Sequence, residues 1–217
     1  MPEMGGLSVR RLVLVPAVIT LAVTLLRLVG ELNGWSPLLF NRSAGGGGAV
    51  VGIVWLAFVF AFYFAWKLVQ AGEAPAGRFR PLGYGALAIA VTLAIGLGAG
   101  AAGLPILAQF AAWVVGSLAA VVVAYRGWPA LGRVLVTYGL AARIPVAIVM
   151  LFAILGNWGT HYDVAPPNLP AMGPLAKWVM IGLVPQLSIW IGFTVAIGML
   201  CGGLLVALRP HRVAATA

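Results

Sequence analysis

The chain has 217 residues, of which 63% are hydrophobic and only 8% charged, where a soluble domain carries about 25% charged residues. So small a polar complement cannot cover a water-exposed surface, which excludes a soluble globular domain and makes lipid the solvent for most of the chain. The net charge of +9 does not point to nucleic acid, because the basic residues stand as singles and pairs at the ends of apolar runs.

These runs predict an all-α, polytopic membrane bundle with six transmembrane helices. They lie at about 12–30, 49–70, 82–102, 105–125, 134–155 and 178–208, each long enough for a hydrocarbon core of about 30 Å. One membrane domain, 1–217, takes up the whole chain. Nine cations (Arg10, Arg11, Lys67, Arg78, Arg80, Arg126, Arg133, Arg209 and Arg212) fall at one set of run ends. Arg27, Arg42, Arg143 and Lys177 lie at the opposite ends or inside a run. The positive-inside rule then places both termini in the cytoplasm and the loops 31–48 and 156–175 outside, in a multi-pass protein of the inner (cytoplasmic) membrane.

In chain order, the first run is long for a signal sequence, and Arg27, Glu31 and Asn33 follow it where small cleavage-site residues belong, so it reads as an uncleaved helix. Arg27 and Glu31 are four residues apart and can pair along that helix, or Glu31 can pair across helices. The following loop carries Trp35, Pro37, Asn41, Arg42 and a glycine run at 45–48. In span two, Trp55, Phe58, Phe62 and Trp66 share one helical face. Span three has Ala86, Ala90, Ala94, Gly98 and Ala102 at four-residue spacing, a helix-packing face that serves either the bundle itself or a partner in the membrane. Gly103 and Pro105 predict a tight hairpin into span four.

Span five contains Arg143, about nine residues in and so roughly 13 Å along the helix, near mid-bilayer. Such a residue must face protein or a wet cavity. Pro145 follows it and frees the carbonyl of Ala141. The last run, of about 32 residues, would make a helix of roughly 48 Å and must tilt, project or break, with Pro185 as the expected break.

Several chemistries are excluded. None of the four acids, Glu3, Glu31, Glu73 and Asp163, lies deep in a span, which argues against a proton-coupled carrier. His161 and His211 are both outside the spans, so a haem held by His pairs and a His-rich metal site are excluded. Ser117 lacks the setting of an intramembrane serine protease. Cys201 is the only cysteine, and no cofactor or metal is implied. In the second outer loop, His161 and Asp163 could form a general base and its orienting carboxylate; the plainer reading is a loop held by local hydrogen bonds.

What remains is a ligand-binding hypothesis: Arg143 and Gln186 beside two proline-interrupted helices, with Gln109 and Tyr138 as further contributors. The expected function is a membrane protein that binds a small molecule or lipid between its helices, as a transport-type protein or a substrate-binding subunit. Six spans, inward termini and a nearly loopless body resemble, in architecture alone, the substrate-binding subunits of energy-coupling-factor vitamin transporters. The alternative is an accessory subunit of a larger complex, docked through the small face of span three. The partners implied are the lipid bilayer and either a second copy or a partner membrane subunit.

Overall fold

With lipid around it, a chain must satisfy its backbone groups internally, and the apolar runs do so as helices. The computed structural model describes residues 3–4, 7–47, 50–167 and 169–209; His211 and Arg212 lie outside these. The long helices are α1 (Val9–Leu32), α2 (Val54–Gln70), α3 (Arg80–Ala101), α4 (Ile106–Gly127), α5 (Pro129–Gly156) and α6 (Pro174–Leu208). A two-residue antiparallel pair, Glu3–Met4 with Leu7–Ser8, precedes α1. Five of the helices are long and apolar enough to cross a membrane; α2, with 17 residues, is shorter.

Helix α6 is the axis of the bundle. It packs against α2, α3, α4 and α5, while α1 packs on α5. In its most apolar stretch 61% of residues are buried, against 17% in α4, so a run that is apolar all round has become a core helix. Its small residues set the distances. A Cβ on Gly192 would lie 2.6 Å from the Ser117 carbonyl oxygen, and one on Gly203 would strike the Leu82 backbone. Close backbone approach is what holds helices together where lipid is as apolar as leucine.

Several boundaries differ from the sequence reading. Span two begins at Val54, not at 49, because Val50 and Val51 donate backbone hydrogen bonds to Leu38 and Leu39, 3.2 and 3.1 Å, in place of a helical turn. The expected loop 126–133 collapses to the single buried residue Trp128: Gly127 ends α4 and Pro129 opens α5, so Arg133 sits in the helix. Trp128 is held there by its indole N–H, which donates to the Glu73 carbonyl at 2.8 Å. In α6 the interruption begins upstream of Pro185. Residues Trp178–Leu183 form a π-helical segment, and Ser188 leaves helical geometry at φ −124°. A wider turn before the proline accommodates the ring where a regular turn would clash with the carbonyl of Ile181. The α3–α4 hairpin follows expectation, with Gly103 at φ +66° and Pro105 capping α4.

The small-residue stripe of α3 does not pack inside the bundle. Ala86, Ala90, Ala94, Gly98 and Ala102 are all exposed, and the buried face of α3 is Gly85, Ala88, Gly96 and Ala99. Small residues occur on both faces of this helix, so their spacing could not choose between them; Gly85, whose Cβ would lie 2.7 Å from the Leu200 amide, marks the true contact. The face Trp55, Phe58, Phe62, Trp66 of α2 is likewise exposed, while Phe60 and Phe64 enter the core.

Basic side chains close one end of the bundle. Arg78 donates from Nε to the Ala207 carbonyl at 2.8 Å, and Arg80 Nε donates to the Arg126 carbonyl at 3.2 Å. Both cations meet the last carbonyls of a helix, where the macrodipole favours positive charge. Gly192→Val should destabilise the detergent-solubilised protein by about 1–3 kcal/mol through overpacking, read as a lower thermal midpoint. Gly98→Val, with open space around it, should leave the midpoint unchanged.

Candidate functional site

At the other end of the bundle the helices part around a cavity of about 780 Å³. Its floor is built by α5 and the irregular first part of α6. Arg143 donates from one terminal nitrogen to Gln186 Oε1 at 3.3 Å, and its guanidinium lies over the Trp190 ring, 4.6 Å from the centroid. Gln186 Nε2 in turn points to Met150 Sδ at 3.6 Å. Gln186 and Trp190 are four residues apart, so they present one face of α6 to the arginine. Among the described residues the ion pairs are confined to Arg27, Glu31 and His161, and no carboxylate answers Arg143.

The depth of Arg143 follows from neighbouring contacts. Thr20 and Tyr138 hydroxyls meet at 2.8 Å, and Glu31, farther along α1, meets His161 of the loop that follows α5, so α1 and α5 run in the same direction. From that level Arg27 is roughly 10 Å onward and Arg143 roughly 7.5 Å. Because α5 runs from Pro129 to Gly156, Arg143, about 21 Å along it, stands near the middle of the helix.

A buried carboxylate ties the roof together. Glu31 is fully buried and accepts from Arg27 Nε at 2.8 Å, from the His161 backbone N–H at 2.8 Å, and meets His161 Nδ1 at 2.5 Å. Its own backbone carbonyl accepts from the Arg42 guanidinium, and Arg27 also reaches the Asn41 carbonyl at 3.2 Å. One residue thus joins α1 to both long loops. The local pair with Arg27 forms, and Glu31 also meets His161 of the second long loop.

Asp163 has a different task. Its carboxylate accepts from the amides of Gly159 and Thr160 at 2.9 and 2.7 Å and from the Thr160 hydroxyl at 2.8 Å. This folds the loop over the cavity and leaves Asp163 without a hydrogen bond to His161. The plainer expectation, a loop held by local bonds, describes this arrangement. Tyr162 anchors it by donating to the Thr24 carbonyl at 3.1 Å.

Of the sequence candidates, Arg143, Gln186, Gln109 and His161 line the cavity. Gln109 sits at the rim, and its amide donates to Leu104 O at 2.7 Å. Tyr138 is not in the wall. It is buried deeper, against Phe60 and Phe64, with its hydroxyl on Thr20, because its position on α5 faces α1 and α2. Sequence reasoning missed Trp190 and the apolar wall of Met150, Met180 and Ile181; the four-residue step from Gln186 to Trp190 was the available signal. Among the described residues no group of three metal-ligating side chains occurs.

Comparison with protein-family models, with curated proteins and with solved structures finds no match, so the functional reading rests on the geometry of this cavity.

Burial holds the His161 ring below its ordinary pKa of 6.5, reinforced by the nearby Arg27 cation and opposed by the carboxylates of Glu31 and Asp163. The folded loop therefore favours neutral His161, and the unfolded loop binds the proton first on acidification. This contribution to stability is complete above pH 6.5 and is lost as the pH falls through the lower folded value. Amide exchange at 159–164, corrected for intrinsic rates, should accelerate on acidification below that pH, and His161→Gln should flatten the profile. Glu31→Ala should lower stability by about 3 kcal/mol, since it strips the carboxylate from a buried pair, and should release both loops together.

Proposed function

We propose that the protein is a six-span inner-membrane protein, with both termini cytoplasmic, that binds a small anionic molecule in an outward-facing cavity. It acts as a transport-type protein or as the substrate-binding subunit of a membrane complex. In this reading α2 is the sixth span: 17 residues make roughly 26 Å, the lower limit for crossing the core. The basic end of the bundle, with Arg78 and Arg80 against helix termini and Arg126 in the last turn of α4, is then the cytoplasmic side.

The observation that carries the proposal is Arg143. A guanidinium within a membrane-spanning helix is expensive unless something answers it, and here its polar partner is the neutral amide of Gln186. It borders a cavity whose 780 Å³ lies within the range of small-molecule sites. An anion on the cavity side would supply the missing partner through a charge-assisted bond. Arg143→Leu should leave membrane insertion intact and remove stabilisation by any anionic ligand, measured as the ligand-dependent rise in thermal midpoint. Normal ligand binding by that variant would sink the site.

A second reading, an accessory subunit, is favoured by the exposed small-residue face of α3, which is suited to close approach by another helix. Native mass spectrometry of the detergent-solubilised protein separates the two: a co-purifying subunit lost on Ala90→Leu supports docking, and a retained small molecule supports binding.

A further inference from the structure

The shortness of α2 has a consequence for which ligand the cavity admits. Helix α2 begins only at Val54, and the chain before it is a non-helical stretch through Gly52 and Ile53. Helices α2 and α4 both pack on α6 without a substantial contact of their own. The cavity wall on this side is formed by the first turn of α2 and the first turns of α4. Val54, Trp55, Ile106 and Leu107 are there, each lining the cavity and each at least 39% exposed. The wall is apolar where it meets lipid and cationic on the floor.

Resting on the anion-binding reading above, we propose that the ligand is a single-chain amphiphile with one carboxylate, admitted sideways from the outer leaflet between α2 and α4. The carboxylate sits on Arg143, whose planar fork matches a planar oxyanion. The chain lies along Met150, Ile181 and Trp113 and leaves between Val54 and Leu107. Three features select this class. Arg27 is already neutralised by Glu31, which leaves Arg143 as the uncompensated arginine among the described residues of the cavity wall and calls for one negative charge. Apolar side chains dominate the wall, so a water-soluble dianion would lose hydration without recompense. The volume of 780 Å³ suits one drug-sized molecule, and a diacyl phospholipid would leave much of itself outside.

The test uses the full chain in nanodiscs of zwitterionic lipid, loaded with a long-chain carboxylic acid, the alcohol of the same chain, a short-chain carboxylate, or an anionic diacyl phospholipid. Retained molecules are counted by native mass spectrometry. The expected result is one retained long-chain acid, little alcohol, and roughly tenfold or greater weakening in Arg143→Gln, the loss of a charge-assisted bond. The rim variants Val54→Trp and Leu107→Trp, where the chain leaves the cavity, should slow loading. Equal, Arg143-dependent binding of the short-chain carboxylate would overturn the amphiphile and leave the anion site standing, as would preferential retention of the phospholipid. Rim variants that load at the normal rate would overturn the lateral route. Binding of no anion in an Arg143-dependent way would remove both the amphiphile and the reading it rests on. If Arg143→Gln fails to fold, the acid-against-alcohol comparison and the rim variants decide.

Discussion

A chain surrounded by lipid has no water to accept its unpaired peptide groups, so any segment that leaves the helix must be bonded by the protein itself. Two stretches here leave it at the same end, and each is tied by hydrogen bonds within the protein. Leu38 and Leu39 take the amides of Val50 and Val51, Asn41 reaches Gly47, and Asp163 folds the 159–164 turn. Glu31 then connects the two sets. The cavity exists because these segments are held over it; ordinary helix packing in their place would have filled it. Glu31 and Arg143 divide the electrostatics of this end: the carboxylate is spent on structure, and one guanidinium is left facing space.

That division explains why the two intramembrane arginines are unequal although they lie at nearly the same depth. Arg27 pairs with Glu31 four residues on and with the Asn41 carbonyl, so its charge is absorbed by the roof. Arg143 has a neutral amide, an aromatic face and a cavity. A cation over an indole ring gains from the ring quadrupole, yet the ring cannot supply the lone pairs that a guanidinium needs for its remaining N–H groups. The structure thus satisfies Arg143 in packing, and its side-chain hydrogen bond within the protein is the one to Gln186.

How much of this was legible in the sequence depends on the kind of signal involved. Helical character, the α3–α4 hairpin and the isolation of Arg143 follow from local chemistry: apolar run length, a glycine that accepts positive φ, a proline that opens a helix, and an unmatched charge. The shortness of α2 was hidden because residues 50–53 are as apolar as the helix they precede; the backbone bonds of Val50 and Val51 to Leu38 and Leu39 turn this stretch away from it. Trp128 was hidden because an aromatic beside a proline reads as a loop, and only tertiary packing reveals it as a buried hinge between two helices. Tyr138 is on the same helix as Arg143. Five residues on a 3.6-residue helix turn the side chain well away from that of Arg143, and Tyr138 consequently meets Thr20 and Phe60.

The α3 stripe shows a further limit. In water, burial of apolar area chooses which face of a helix turns inward. In lipid that preference vanishes, and the choice falls to which small residues meet a partner of complementary shape. Gly96 receives the Trp113 ring and Gly85 the backbone of Leu200, whereas Gly98 has nothing facing it within 4 Å. Periodicity can find a stripe of small residues, but the decision between two such faces belongs to the bulky side chains of neighbouring helices. The same reasoning applies to the cavity. Its floor is set where Pro185 and the π-helical turn of α6 bring Gln186 and Trp190 to face α5, a displacement that no single-helix pattern encodes and that only the packed pair of helices defines.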